Sequence, residues 1–498
     1  MAETETQDQA YVDNGVKIVQ TDVDNKDGQV KCPKCGSTDI STNVATGQLR
    51  CNFCRFEFEP QKLEMETDIS KLSGTTIGSG AQDIVADTKD QITLKCTSCG
   101  AEVVIDTASA NQARCHWCRN TLSLNQQIPN GAIPDIVLAF KVKKDEAKKA
   151  IESFVGKRKF YAHPKFRQEF TTNNIMGVYF PYMVVDLNTH SHLTGLGEHQ
   201  TRSYSEGSGE HRVTYYDADL YQVGRDFDLT IHGLSIESNK DRLDTTNKTK
   251  TNNIINSIMP FDVENSVKYD SNYLKGFTSE RRDSNITELT PIITERAKDI
   301  ARFSANASLK KYDRGVSWQS EQLDIKGQQW KAAYLPVWLY SYQEDKGDRK
   351  LLHYVAVNAR TKESMGSVPI YLPKLFLLAF LVELLGIFGF IKLDFDYDFL
   401  LLLVGPLYFF YIYTKYRNQN ARDQYETETK TNVTNLKTMD QFVEHRKRLR
   451  NSKIENQNNT TVRGASMNLK KKTGLGLDLD LKNFAADQLS SITDQFLK

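Results

Sequence analysis

The sequence predicts a multi-domain chain in which small cysteine-built β modules precede an α+β body with an antiparallel sheet, followed by a pair of apolar helices. Three observations predict it. All eight cysteines of the 498-residue chain precede residue 119 and fall in two blocks of identical spacing. Helical and strand periodicities alternate between residues 134 and 370. Two apolar runs, 375–391 and 399–414, carry a single charge between them. Length agrees, since about 150 residues per domain gives about three domains. A net charge of +1 excludes a strongly basic, histone-like binder of nucleic acid.

Residues 1–29 read as a disordered acidic lead: 1–30 hold seven acids, two lysines and no apolar periodicity. The polar, acidic start argues against a secretory signal. Each cysteine block reads C-x-x-C, fifteen residues, C-x-x-C, with Cys32, Cys35, Cys51 and Cys54 in the first and Cys96, Cys99, Cys115 and Cys118 in the second. A two-residue gap lets one tight turn aim both sulfurs at one ion, and two such turns complete a tetrahedron of soft donors. This is the spacing of a zinc ribbon, giving ribbons at 30–60 and 91–127 and two structural Zn2+ ions. Redox pairs and iron–sulfur clusters are the alternatives, but neither calls for four matched copies. Lys31, Gly36, Gln48, Arg50 and Arg55 of the first block align with Lys95, Gly100, Gln112, Arg114 and Arg119 of the second, which points to duplication. Gly36 and Gly100 fit a positive-φ position behind the second cysteine. Four thiolates leave no open metal position, so the ions are read as non-catalytic, and His116 as a surface residue of its knuckle. The stretch 61–90, with Ser73, Gly74, Gly78, Ser79 and Gly80, reads as a linker.

Arg50, Arg55, Arg114 and Arg119 are candidate phosphate contacts. The charge around them is thin, because 31–60 hold four basic and three acidic residues and 91–124 hold three and two. Protein binding or scaffolding competes with nucleic-acid binding on these numbers.

The body, 128–371, mixes the two periods. Apolar residues ending at 142 suggest a strand, and Ala147, Ala150, Ile151 and Phe154 a helix. Residues 215–231 alternate around Gly224 and Arg225 as a hairpin would, and 352–357 read as a strand. A helix is expected from Pro291 to about Leu309. Tyr179-Phe180-Pro181 and Tyr334-Leu335-Pro336 each lead an apolar run, either as two related β-units or as unrelated strands opened by proline.

The apolar runs are seventeen and sixteen residues long, about 25 Å each as helix and long enough to cross a bilayer with help from their flanks. Glu383 costs about 3 kcal/mol at mid-bilayer, against about −6 kcal/mol from the apolar side chains of its run. A buried hairpin in a soluble core is the alternative. Lys374, Lys415, Arg417 and Arg422 flank the runs, whereas Asp394, Asp396 and Asp398 fall in the loop between them. The positive-inside rule then places both termini in the cytoplasm of a two-pass membrane protein, where thiolate metal sites survive. The fold class is therefore two zinc ribbons, an α+β middle region with an antiparallel sheet, and a two-helix transmembrane hairpin at 372–416. The tail, 417–498, is basic, with Arg446, Lys447, Arg448, Arg450 and Lys453 clustered, and reads as a solvated helix face followed by a disordered segment.

No P-loop, nucleophile elbow or H-E-x-x-H helix occurs, so no enzyme activity and no small-molecule substrate are assigned. His190, His192 and His199 suggest a second metal site only if acids join them, and none lies at matching spacing.

The run 114–140, RCHWCRNTLSLNQQIPNGAIPDIVLAF, with GVYFPYM from Gly177, YLPVWLYSY from Tyr334 and HYVAVNARTKESMGSVPI from His353, resembles a bacterial family of membrane-associated zinc-ribbon proteins of the transcription factor IIB type. The resemblance covers most of residues 30–415. It implies membrane association and structural zinc but no mechanism. Some members of that family are labelled primosomal protein N'; the helicase activity that label implies does not carry over to a chain without a nucleotide-binding loop. The combined expectation is a membrane-anchored cytoplasmic binding or adaptor protein with an unidentified protein partner. The alternative is a nucleic-acid-binding protein recruited to the membrane and linked to replication or transcription.

Overall fold

The computed structural model describes residues 10–13, 15–19, 32–37, 39–43, 48–63, 68–82, 91–96, 102–106, 113–116, 121–122, 127–128, 134–207, 213–239, 255, 258–269, 271–274, 276–280, 282–346, 349–392, 403–416 and 429–450. Contacts divide the chain into two compact units. The first comprises Met1–Thr194, Val223–Ser304 and Gln319–Asp440, and the second Gly195–Gln222, Ala305–Trp318 and Gln441–Lys498.

Strands dominate. β1 (Ala10–Asp13) and β2 (Val16–Val19) form an antiparallel hairpin with Gly15 at φ +81° between them. The reading of 1–29 as wholly disordered fails for these residues. β3 (Ile40–Thr42), β4 (Leu49–Cys51) and β5 (Glu57–Phe58) make a small antiparallel sheet. β6 (Gly74–Gly78) pairs parallel with β2 and with the long β17 (Gly315–Lys346), so the 61–90 stretch contributes a strand rather than only a linker. Gly78 there serves close approach, and Gly74 takes a positive φ of +67°. A Cβ at Gly78 would stand 2.4 Å from the carboxylate of buried Asp135, which accepts from the N–H of Gly80 at 2.6 Å and of Ala332 at 2.8 Å.

β7 (Gln91–Lys95) and β8 (Glu102–Asp106) are an antiparallel pair, β9 (Ala113–Arg114) and β10 (Thr121–Leu122) a second pair, and β11 (Gln127–Ile128) joins β7. The body adds β12 (Ile136–Val137), β13 (Met176–Glu206), β14 (Val213–Glu237), β15 (Val267–Lys268), β16 (Thr278–Glu280), β18 (Arg349–Asn358) and β19 (Ser364–Gly366). β20 (Lys430–Arg450) follows the apolar helices. Most of these strands form one fifteen-stranded sheet, in which β8 joins β16, β16 joins β13, and β13 lies beside β17. The sheet is mixed, whereas an antiparallel one was expected: β12 runs parallel to β17 and β16 parallel to β13.

The centre of the sheet is buried on both faces. Tyr179, Tyr334, Trp338, Tyr340, Tyr342, Val355 and Val357 pack on one side with Ala147, Ile151, Phe154 and Val155 of α1 (Lys144–Gly156) and Phe166 of α2 (Pro164–Glu169). Val178, Phe180, Tyr182, Val184, Leu335, Val337, Leu339 and Ala356 pack on the other. Strand period 2 sorts neighbours onto opposite faces, and because both faces are covered the sequence reads as unbroken apolar runs. Each large side chain so buried contributes about 2–3 kcal/mol.

Three local expectations change. Residues 215–231 form no hairpin, because β14 runs straight through Gly224 and Arg225. Gly224 lacks the positive φ of a tight turn and instead leaves room for Met439, while Arg225, 1% exposed, reaches Asp440 Oδ1 at 2.6 Å. The expected helix from Pro291 becomes α3 (Ile286–Ala305), which starts earlier because Asn285 and Glu288 close its first turn, the Asn285 N–H donating to Glu288 Oε2 at 3.0 Å. Arg446, Lys447, Arg448 and Arg450 of the basic cluster lie on a strand, not a helix, while Lys453 lies outside the described residues. In unit 2, Arg446 and Arg448 meet Glu198 and Glu206, and His445 lies 2.6 Å from Asp219, so that face is largely neutralised by its own sheet.

The first apolar run forms α4 (Leu372–Lys392) and the second α5 (Val404–Tyr416). They pack antiparallel, since Phe376 stacks on Phe409 while Glu383 accepts from the Gly405 N–H at 2.7 Å. Among the described residues only α4 is long and apolar enough to cross a membrane. The 13 described residues of α5 rise about 20 Å, so the expectation of two spanning helices is not met by it. The acidic loop residues Asp394, Asp396 and Asp398 lie outside the described residues.

Candidate metal centre

The first cysteine block folds into two matching knuckles. In one, the Gly36 N–H donates to the Cys32 carbonyl at 2.8 Å and the Cys32 N–H to Ser37 O at 2.8 Å. In the other, the Arg55 N–H donates to Cys51 O at 2.9 Å and the Cys51 N–H to Phe56 O at 2.9 Å. The turn requires a left-handed residue after its second cysteine, with Gly36 at φ +73° and Arg55 at φ +60°. Glycine takes that conformation without cost and arginine does not. Arg55 therefore occupies in its knuckle the left-handed place that Gly36 holds in the other.

The four sulfurs converge. Cys32 and Cys54 are 3.6 Å apart, Cys35 and Cys51 are 3.6 Å apart, and all four ligand atoms lie within 4.8 Å of one another. A tetrahedral ion with metal–sulfur bonds of about 2.3 Å needs edges of about 3.8 Å, so the set can hold a metal ion. The electrostatics are those of crowded thiols. The Cys54 N–H donates to Cys51 Sγ at 3.4 Å and, with Phe53 N–H, brings the Cys51 thiol down to about 6. Cys35 moves the opposite way. The Ser37 backbone lowers it, but burial and the three neighbouring sulfurs outweigh that and push it up to about 12. Asn52 braces the second knuckle, donating to Asp39 Oδ1 at 2.9 Å and accepting from Ser41 at 2.9 Å. Ile40 and Leu49, on strands β3 and β4, are fully buried in the same apolar cluster as α1 and Trp338, so the ribbon is seated on the body.

The second block is joined to the body more deeply. Cys96 and Cys115 are both buried in the cluster that contains Val103, Phe180 and Leu335. Cys99 and Cys118 lie outside the described residues, so a second four-sulfur shell is not assembled among the described ones. His116 is not a surface residue: it is 1% exposed, with Nε2 2.7 Å from Glu280 Oε1 of β16 and its carbonyl accepting from Ser341 Oγ at 2.6 Å. Local spacing announces neither partner, because they lie 164 and 225 positions further along the chain.

Of the candidate phosphate contacts, Arg50 lies 3.9 Å from Glu57 across the β4–β5 pair, Arg55 is fixed by its knuckle, and Arg114 is exposed on β9. Arg119 is outside the described residues. The histidines do meet acids, contrary to expectation. His190 lies between Asp228 at 2.9 Å and Asp226 at 3.2 Å, and His192 is 3.3 Å from Asp226. Lys326 and Asn435 also hold Asp228, at 2.5 and 2.8 Å, so cations and amides of the protein already occupy its oxygens. His199 sits apart, 3.6 Å from Asp313 in unit 2. Among the described residues, the Cys32 set is the one group whose ligand atoms converge on a metal position.

The fold and site thus define a mixed-sheet protein with a cluster of four cysteines that could hold a metal ion and an apolar helix. No protein-family model, curated protein or solved structure matches the chain.

Proposed function

We propose that the chain is a membrane-anchored adaptor whose zinc ribbons are structural and whose ribbon and sheet surfaces bind a protein partner on the cytoplasmic side. The observation that carries this reading is the exposed apolar surface of α4. Residues Leu372–Gly389 have a mean hydropathy of 2.0 with only 17% of the segment buried, and Phe376, Leu377, Phe380, Leu385 and Phe388 face outward. A core helix of a soluble protein would bury that face, and an exposed patch of this kind marks a membrane or a partner. Flanking basic residues and the acidic 392–398 loop support cytoplasmic termini. In this reading α4 is the anchor and α5 packs beside it, with Glu383 capping the first turn of α5.

Zinc is the ion that four thiolates at this spacing favour, and a closed shell assigns it no catalytic step. The test is purification of the full chain from membranes. Resistance to alkaline carbonate extraction and about two zinc ions per chain are expected; release into the soluble fraction, or metal near zero in folded protein, overturns the corresponding half of the reading. Retention of the same preparation on DNA and RNA across a salt series distinguishes the nucleic-acid alternative, which requires salt-sensitive binding. The Arg50–Glu57 contact weighs against that alternative.

A further inference from the structure

The loop between α1 and α2, together with the first turn of α2, is the most basic uninterrupted stretch of the described body. Residues 157–167 contain Lys157, Arg158, Lys159, Lys165 and Arg167 and no acid. Lys157, Lys159, Lys165 and Arg167 are exposed, and among the described residues no carboxylate pairs with them. This contrasts with the β20 cluster, whose arginines meet glutamates. Phe160, at the loop's tip, is 58% exposed.

The loop is fastened to the point where α4 begins. Ala162 and Ile370 form an antiparallel bridge, the His163 N–H donates to Pro369 O at 2.8 Å, and the Tyr371 N–H donates to Tyr161 O at 2.8 Å. Lys374, in the first turn of α4, donates to Phe160 O at 2.8 Å with its ammonium 3.7 Å from the centre of the Phe160 ring. Tyr161 contacts the hydroxyl of Tyr408, and its N–H donates to Tyr416 Oη at 3.4 Å, so the end of α5 meets the same loop. Leu375, Ile412 and Tyr416 close the joint from the apolar side.

We infer that residues 157–167 form a headgroup-contact surface for anionic phospholipid, with Phe160 dipping into the interface and Lys157, Lys159, Lys165 and Arg167 meeting lipid phosphates. The inference rests on the membrane reading of α4. If α4 crosses the bilayer, its first turn lies at the interface, and the hydrogen bonds above hold the loop at the same level. Unpaired cations beside an exposed aromatic ring are the chemistry that an anionic surface attracts. Lys374 over Phe160 fixes the ring where the apolar helix meets that surface.

The test uses the full chain with p-benzoylphenylalanine in place of Phe160, reconstituted in lipid nanodiscs and irradiated. Phospholipid adducts at position 160 are expected, rising about threefold when about 30 mol% phosphatidylglycerol is added to phosphatidylcholine, with the gain abolished by about 0.5 M salt. The combined variant Lys157→Gln, Lys159→Gln, Lys165→Gln and Arg167→Gln should remain in the discs and lose the gain. Equal labelling in both lipids, or adducts only to protein, overturns the inference while leaving the anchor intact. A chain that does not enter the discs overturns the anchor and the inference together.

Discussion

The rings of Tyr179 on β13 and Tyr334 on β17 lie 6.1 Å apart, centroid to centroid. Beside them, Val178 is paired in parallel with Thr278 of β16, and Ala333 is paired in parallel with Ile136 of β12. One and the same chain offset relates Val178 to Ala333, Tyr179 to Tyr334 and Pro181 to Pro336. The carbonyls of the two prolines even accept equivalent bonds, from Ser238 N–H and Ala359 N–H, each at 3.1 Å. Each half is a short strand, a helical connection and a long strand, and each short strand pairs with the long strand of the other half. The echo of Tyr-x-Pro in the sequence thus falls on two segments that are paired and hydrogen-bonded alike. Neither proline opens its strand; both sit inside, where a missing N–H is tolerated because only the carbonyl is used.

Burial at this centre predicts an alkaline limit to stability. Desolvation pushes the Tyr334 hydroxyl up to about 12, with Ser279 and Arg282 opposing, and holds Tyr179 well above its ordinary value of 10.0. A folded-state value above the unfolded one means that the unfolded chain loses its proton first. The Tyr334 contribution is complete below about pH 10 and declines by about 1.4 kcal/mol per pH unit up to about pH 12, and Tyr179 acts in the same direction. Denaturant midpoints measured across this window should fall for the wild type and fall less steeply for Tyr334→Phe. Identical slopes would remove Tyr334 as a source.

Asp186 sets the corresponding acid limit. Its carboxylate, 2% exposed, is 2.8 Å from His232 Nδ1 and accepts from Lys331 Nζ at 2.9 Å and the Gly233 N–H at 2.9 Å. Burial alone would raise its pKa, but these partners bring it down to about 2. The unfolded chain binds this proton first as pH falls, so the contribution, about 2 kcal/mol, is present above about pH 4 and lost toward pH 2. Asp186→Asn should lose about that much at neutral pH and show a flatter acid profile than the wild type.

Gly327 tests the strand status of the 61–90 stretch. It pairs with Gly74 in the β6–β17 ladder, and a Cβ there would stand 2.3 Å from the Leu72 carbonyl carbon and oxygen and 2.6 Å from Ser73 N. These are backbone atoms and cannot swing aside. Gly327→Ala should destabilise by about 3 kcal/mol and expose the β6 amides to hydrogen exchange. Gly156→Ala, with nothing within 4 Å of the added atom at the end of α1, serves as the control and should be neutral or mildly stabilising.

The parts legible in the sequence are those whose partners are local. Both sulfurs of each knuckle sit on one turn, so spacing alone reveals them, and the apolar stripe of α1 lies within thirteen residues. Parts decided by distant chain were misread. Arg225 beside Gly224 mimics a hairpin turn, and what makes β14 continuous there is Asp440, 215 positions away. The acids that surround His190 arrive on β14, 36 and 38 positions later, so no local spacing could announce them. β20 reads as a helix because its charges are dense; their sorting onto a strand follows from Glu198, Glu206 and Asp219, which lie more than two hundred positions earlier.

Removal of the metal should act through the ribbon's floor rather than on the large sheet. Ile40 and Leu49 are held at 0% and 1% exposure on β3 and β4, of which β4 ends on Cys51 and pairs it with Ile40, and the β3–β5 sheet has only a few ladder pairs of its own. Without a cation, four thiols within 4.8 Å must share protons or repel as thiolates, so the knuckles have no reason to stay closed. Cys51→Ser removes the thiol that the Cys54 N–H contacts and should abolish one metal equivalent per chain. Amides of residues 40–58 should then exchange about tenfold faster or more, whereas those of β13 and β17 should keep their protection. Chelator treatment of the wild type should reproduce the same local pattern. Loss of protection throughout the sheet would show instead that the ribbon is a cornerstone of the whole fold, and unchanged metal content in Cys51→Ser would remove this cysteine from the ligand set.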